Sequence, residues 1–361
     1  MTKKCIAFIC PYPVGQSPSQ RFRFEQYFEL LSSNNFEYHV YPFLGVSSWK
    51  ILYKKGNSVR KIFGILSGFT KRFGLLFNIG KFDFIFIHRE ATPIGPPFFE
   101  WMIANFFRKK IIYDFDDAIW LANTSDENKI ISGLKWHHKF NVICNASYRL
   151  SCGNQFLADY ALQFNNALIV NPTTIDTIHH HNPDKHPIAQ NKNKIIIGWT
   201  GSHSTLPYLT PLLPVIETLW KKYPEIELLI IADKNPEWQQ PFINFVQWSK
   251  DTEIDDLMKI DIGIMPMPNE TWTKGKCGFK ALQYMSLKKP ALVSPVGVNS
   301  EIVDQVVNGF LCSTEEDWIQ HLEYLLHHPE ARKTMGEKGR EKVEKYYSVS
   351  SNSSTFLSLF E

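Results

Sequence analysis

The sequence predicts an α/β protein of two doubly wound domains, each built on a parallel sheet, and three observations carry that reading. Short apolar runs without polar alternation, such as 5–10, 84–87 and 195–198, recur with amphipathic stretches between them. This is the pattern of strands buried on both faces by crossover helices. The chain has 361 residues, enough for two separate cores. The strand–helix rhythm stops at a polar stretch, 177–194, and then begins again.

In order, Ile6–Cys10 reads as the first strand, closed by Pro11-Tyr12-Pro13, and Arg21–Leu31 as the first helix. Strands follow at Tyr38–Phe43, Phe82–Ile87 and Lys110–Tyr113, with a helix at Pro97–Phe107 between the last two. Ala146–Ser151 and Leu168–Asn171 complete this half. Residues 177–194 contain His179, His180, His181 and His186 among prolines and asparagines and read as a linker. The second half runs Ile195–Gly198 (strand), Leu206–Lys222 (helix), Glu227–Ile231, Phe245–Trp248, Glu253–Lys259 (helix), Ile262–Met265, Phe279–Leu287 (helix) and Ala291–Ser294. Helices at Pro329–Tyr346 and Ser350–Phe360 end the chain. The expected domains are 1–176 and 195–347, joined by 177–194, with 348–361 packing back on the first. Ligands of such sheets lie beyond the carboxyl ends of the strands, so the cleft between the halves is the expected site.

A hydrophobic content of 44% with 21% charged residues describes a globular chain, and a formal charge of +3 gives no argument for nucleic acid. The six cysteines show no CxxC pair or metal spacing and read as buried thiols in a reducing cytoplasm. Lys3 and Lys4 precede an apolar run too short for a signal peptide, and no run reaches transmembrane length. Charge placement says more than the total. Between Trp49 and Lys81 lie Lys50, Lys54, Lys55, Arg60, Lys61, Lys71 and Arg72, mixed with aliphatic and aromatic residues and with no acid. That mixture suits an anionic membrane surface, touched from the side.

The most informative stretch is Gly275-Lys276-Cys277-Gly278-Phe279-Lys280-Ala281-Leu282-Gln283-Tyr284-Met285. A glycine-bearing loop after a buried strand opens a helix, and Lys276, Lys280 and Gln283 recur at i, i+4 and i+7, on one expected face. A helix N-terminus flanked by lysines suits a diphosphate. A solvated basic face is the other reading, and the pattern leaves both open. At the first half's strand ends stand His88-Arg89-Glu90 and the acidic run Asp114-Phe115-Asp116-Asp117. Three acids at a strand end with an aromatic among them are expected to have a functional role.

The segment 275–297, with Glu301-Ile302-Val303, Asn308-Gly309-Phe310-Leu311, Gly198-Trp199-Thr200-Gly201-Ser202 and Met335-Gly336-x-x-Gly339-Arg340, resembles the donor-binding region of glycosyltransferase family 4. Ser19-Gln20-Arg21-Phe22-Arg23 and Tyr113–Asp117 carry a weaker resemblance in the first half. The resemblance implies the GT-B architecture of two facing Rossmann-like domains, a nucleotide-diphosphate sugar as donor, and retention of anomeric configuration. The family's usual Arg and Lys after the first strand of the second half are missing, and Gly201, Ser202 and His203 stand there, with N–H and hydroxyl groups for phosphate and with Lys276 and Lys280 to supply the charge. Gln283 and Trp248 are the other expected donor contacts, and Arg21, Arg23 and His88, close to strand ends, are the expected cleft residues of the first domain. Asp116, Asp117 and Asp114 are the catalytic candidates. The family's two glutamates, eight positions apart, fall here on Gly275 and Gln283. An amide can still hold ribose hydroxyls, whereas Gly275 cannot replace a carboxylate. Lysines neutralise a diphosphate without an ion, so no obligatory metal or cofactor is expected.

The sequence therefore reads as a cytoplasmic glycosyltransferase at the inner membrane face, acting on a lipid-linked glycan, glycolipid or cell-envelope polysaccharide precursor. A non-catalytic nucleotide-sugar-binding scaffold, favoured by Gly275 and Gln283, and an epimerase of the same fold are the alternatives.

Overall fold

The computed structural model describes residues 3–361 except 53, 55, 122–135, 137 and 187–193. Lys55, one of the basic residues assigned above to a membrane surface, lies outside the described residues. The chain divides into two compact units, Met1–Thr173 with Asn352–Glu361, and Thr174–Ser351.

The first unit holds six parallel strands: β1 (Lys4–Cys10), β2 (Phe36–Pro42), β3 (Phe84–His88), β4 (Lys110–Phe115), β5 (Arg149–Cys152) and β6 (Leu168–Val170). Their order is β2-β1-β3-β4-β5-β6. The second holds β7 (Ile195–Gly201), β8 (Ile226–Ala232), β9 (Ile243–Gln247), β10 (Ile262–Met265), β11 (Ala291–Val293) and β12 (Gly309–Leu311), ordered β12-β11-β10-β7-β8-β9. All the paired strands are parallel. In each sheet the chain reverses its direction of winding once, between β1 and β3 and between β7 and β10. The carboxyl ends at those points are where open α/β sheets bind ligands.

The helices used below are α1 (Pro18–Arg23), α2 (Ser58–Asn78), α3 (Phe98–Trp101), α4 (Leu213–Lys222), α5 (Glu253–Met258), α6 (Phe279–Ser286) and α7 (Pro329–Lys342). Several are shorter than the pattern predicts. The expected helix 206–222 opens as two 3-10 turns, Leu206–Tyr208 and Thr210–Leu212, before α4. Pro207, Pro211 and Pro214 each lack an N–H, which interrupts the ladder. The expected helix 21–31 breaks into α1, a 3-10 turn and Phe28–Ser33. Beyond Trp101 the 97–107 helix widens into a π turn, Met102–Phe106. β12 was not anticipated as a strand.

Residues 177–186, expected as linker, are held by the second unit instead. Arg340 donates to the carbonyls of Thr177 and Ser286, each at 2.6 Å, and to that of His181, which is fully buried. The motif Gly336-x-x-Gly339 has a packing cause. A Cβ on Gly336 would strike the Lys288 carbonyl, and one on Gly339 would press on Met285.

In the first unit the core is aromatic. Phe8 stacks on Phe24 at 5.1 Å and lies 4.9 Å from Phe86. The helix Ser353–Ser358 inserts Phe356 against Tyr27 at 4.1 Å, and Phe360 reaches Phe84 and Phe86. The long helix α2 packs inward through small positions: Gly64, Gly68, Arg72 and Leu75 are its buried residues. A Cβ at Gly68 would collide with the Phe43 ring. Arg72, counted above among the membrane-facing cations, is one of those buried groups. It donates to the carbonyls of Ala91, Tyr41 and Cys10 at 2.7–3.0 Å, and burial lowers its pKa to about 10.

In the second unit Gly263 of β10 faces the Tyr284 ring so closely that a Cβ would overlap it. The ring cannot retreat, because its hydroxyl donates to Ile264 O at 3.2 Å and accepts from Thr200 N–H at 3.0 Å. Gly263→Ala is expected to cost about 1–3 kcal/mol, read as a lower urea midpoint for the full chain. An unchanged midpoint would show that the ring moves freely.

Candidate active site

In the first unit, the site residues gather at the carboxyl ends of β3 and β4, where His88 pairs in register with Asp114. Asp114 has no exposed surface. One carboxylate oxygen accepts from Arg23 at 2.5 Å and from the Ser151 hydroxyl at 2.6 Å. The other lies 2.7 Å from His88 Nδ1. Arg23 also donates to the Asn171 carbonyl, and His88 Nε2 meets Ser19 Oγ at 3.0 Å. Burial alone raises a carboxyl pKa, but the Arg23 charge and the His88 contact outweigh it and hold Asp114 well below the usual range.

Three sequence expectations are corrected here. Asp114, Arg23 and His88 form a closed, buried network that ties α1 to the strand ends. Asp114 and Arg23 have no side-chain surface for a substrate. His88 Nε2 turns to Ser19. Arg21 is nearly buried as well, its guanidinium 4.9 Å from the Phe22 ring centre.

Asp116 and Asp117 behave differently. Both leave the strand and turn to Arg89, whose guanidinium binds Asp116 at 2.8–2.9 Å and Asp117 at 2.6 Å. Both carboxylates retain some exposure, 12% and 13%. Burial opposes the charge of Asp116, yet Arg89 holds its pKa below the ordinary value. Arg89 takes a left-handed backbone, φ 61°. Its N–H donates to Asp114 O at 2.7 Å and its carbonyl accepts from the Tyr113 hydroxyl at 2.8 Å. A non-glycine residue pays for that conformation, and both backbone bonds enforce it. The sequence placed Arg89 at a strand end but gave no sign that it pairs with two aspartates.

In the second unit, Gly201 ends β7 and Lys280 lies on α6, after β10. A Cβ added to Gly201 would come within 2.9 Å of Lys280 Cε and 2.6 Å of the Trp199 ring, so the three sit together. Lys280 Nζ stands 5.4 Å from the centre of that ring. The expected common face of Lys276, Lys280 and Gln283 does not form. A single capped turn, Thr271–Lys274, comes first, and Gly278, at φ 64°, then redirects the chain so that α6 begins only at Phe279. Lys276 is left in the connecting loop, 5.1 Å from the Trp272 ring.

Gln283 is buried, its amide 3.5 Å from Glu253 Oε1 on α5. Trp248 follows the end of β9, half-buried, and its indole N–H donates to the same oxygen at 3.3 Å. His180 stands 3.6 Å from the other oxygen. The structure thus sets a carboxylate beside Gln283 from another element, which no spacing in the sequence announces. His203 is also corrected. Its backbone N–H and Nδ1 both bind Asp233, at 2.5 and 2.6 Å, and a carboxylate there disfavours a phosphate on that N–H. Ser202 Oγ meets Ser204 Oγ at 2.8 Å. Among the described residues, the group of Cys, His and acidic side chains close enough to share an ion is Cys5, Glu37 and His39, on β1 and β2.

Residues 183–342 match the family described as glycosyl transferases group 1. The match falls within the second unit. Solved structures resemble the whole chain: sucrose-phosphate synthase from Thermosynechococcus elongatus has a TM-score of 0.70 at 13% identity, covering 99% of this chain and 98% of that one. A glycosyltransferase from Rickettsia africae gives 0.68 at 14%, covering 100% and 98%. An Anabaena protein in complex with UDP and glucose gives 0.63 at 13%, covering 98% of each. At such identities the likeness establishes the fold, which is GT-B. No curated protein matches the chain in sequence.

Asp114→Asn is expected to cost about 3–5 kcal/mol, because it leaves the buried Arg23 charge uncompensated. Asp116→Asn costs less, since Asp117 keeps Arg89 paired. The lowered pKa of Asp114 stabilises the fold above the ordinary carboxylate value of about 3.9, and that contribution is lost as pH falls below it. Urea midpoints measured from pH 6 down to about 3 should therefore fall more steeply for the wild type than for Asp114→Asn. Parallel curves would remove Asp114 as the anchor.

Proposed function

We propose that this glycosyltransferase moves a sugar from a nucleotide-diphosphate donor to a hydroxyl of a glycolipid or cell-surface polysaccharide precursor, with retention of configuration. The observation that carries the reading is Lys280 beside Gly201 at the winding reversal of the second sheet, within the matched domain. The reaction needs a stabilised leaving diphosphate. An ammonium and the N-terminal N–H groups of α6 supply fixed positive potential where that charge grows. Lys276, on the loop leading into α6, adds a second cation. Trp248 offers a ring for the base, and the buried Glu253 and Gln283 hold its indole N–H in place. From the first domain, Asp116 and Asp117 are the carboxylates for the acceptor hydroxyl, with Arg89 fixing their direction. No obligatory metal is proposed. The Anabaena neighbour holds UDP, which makes UDP-sugars the first donors to test.

The enzyme works as a peripheral protein at an anionic membrane surface, on the cytoplasmic face, through its basic and apolar segment 49–81. Among the described residues no helix is long and apolar enough to cross a membrane. Neutralising Lys54, Lys55, Arg60 and Lys61 should reduce flotation with anionic vesicles, and unchanged flotation would remove this part of the reading.

Thermal shifts against nucleoside diphosphates and their sugars should show stabilisation by one base class. Lys280→Ala is expected to lower sugar transfer by roughly 10²–10³-fold while the melting temperature without donor holds. Asp116→Asn should lower transfer without abolishing the donor-induced shift. Full transfer by Lys280→Ala would end the donor assignment, and a folded wild type that binds donors without transferring or hydrolysing them would favour a scaffold.

A further inference from the structure

α2 is amphipathic in the unexpected sense. Its buried face is made of glycines, Arg72 and Leu75, while Val59, Ile62, Phe63, Leu66, Phe73 and Phe77 face outward. At 100° per residue these six fall in one narrow stripe opposite the buried face. Phe77 is 89% exposed. A soluble helix places such residues inward, so the stripe needs a partner.

A second element adjoins it. Phe98 and Phe99, at the start of α3, lie 6.2 and 5.0 Å from Phe73. At the far end of the same segment, Lys109 donates to the carbonyls of Gly80 and Phe82, just past the end of α2, at 2.7 Å each. The segment 98–109 therefore runs alongside the last turns of α2. It exposes Phe98, Trp101 and Phe106, the last two by 50% and 66%.

The charge around this face is mainly positive: Arg60, Lys71 and Arg108 are exposed and residues 43–82 contain no acid, while the exposed Asp83 that follows is bonded to the Cys5 N–H. In 91–113 the single acid is Glu100, which is buried and accepts from the Ala91 N–H. Cations at the edges of an exposed aromatic surface complement an anionic lipid headgroup layer. A phenylalanine-rich stripe with an interfacial Trp fits the boundary below it.

We propose that α2 and the segment 98–106 form one face that enters the headgroup boundary of an anionic bilayer, with Trp101 and Phe106 inserted beside Phe73 and Phe77. The inference rests on the membrane reading above and adds to it a second anchoring element, with apolar insertion rather than charge attraction alone as the holding force. The cations govern approach, and the aromatic residues govern residence.

The test uses the full chain with vesicles of phosphatidylcholine and phosphatidylglycerol, with and without acyl chains brominated near the headgroup. The wild type should float with the vesicles and lose tryptophan fluorescence to the bromines. Trp101→Phe should float equally but lose less fluorescence. The double variant Trp101→Ser, Phe106→Ser should bind roughly tenfold more weakly, the order expected when large apolar side chains no longer leave water. Its donor-induced thermal shift should be unchanged, which shows that it folds. Wild-type flotation with undiminished quenching in Trp101→Phe would overturn the second anchor and leave the basic segment standing. A wild type that does not float would overturn the membrane reading together with this inference, without touching the donor assignment. A wild type that sediments as a dimer, with a monomeric double variant, would assign the face to a second copy and overturn the proposal.

Discussion

The buried Arg23–Asp114 pair is the constraint on which the first domain's site rests. Two charges removed from water are costly, and their mutual attraction offsets that cost only when every remaining donor and acceptor is met. Here Ser151, His88 and the Asn171 carbonyl complete the set. The network joins α1 to β3, β4, β5 and the end of β6, and so fixes four strand ends at once. Arg89 follows His88 directly and bonds to the Asp114 carbonyl, so the geometry of the partly buried Arg89–Asp116–Asp117 group is inherited from the fully buried one.

The division of labour among three nearby aspartates follows from position along one strand. Asp114 lies within β4 and is spent on structure. Asp116 and Asp117 lie past its end and keep an exposed edge. The second domain shows a similar trade. The position where the resembled family carries a glutamate holds Gln283, and a carboxylate, Glu253, arrives beside it from α5. Asp233, by contrast, takes the His203 N–H for itself.

The alternation of strands and helices was legible because both sheets are parallel and buried on both faces, which writes strands as unbroken apolar runs. One glycine of the resembling motifs has a packing cause: Gly336 must clear the Lys288 carbonyl. What could not be read had nonlocal or conformational causes. Arg23 looked like a cleft cation because its partner lies 91 residues away. Lys276 looked helical because the spacing is right, and only the positive φ of Gly278 breaks the register. Arg72 looked like one more surface cation within a basic segment, when three backbone carbonyls claim it.

The aromatic residues Phe356 and Phe360 close the core of a domain whose other residues end at Thr173. During synthesis at roughly 5–20 residues per second, the ribosome needs about ten to forty seconds to make the stretch between them. Throughout that interval the first half lacks the rings that pack on Tyr27 and Phe86. The second domain, by contrast, is complete before residues 352–361 are added. In the cell, the half translated first is therefore the half finished last.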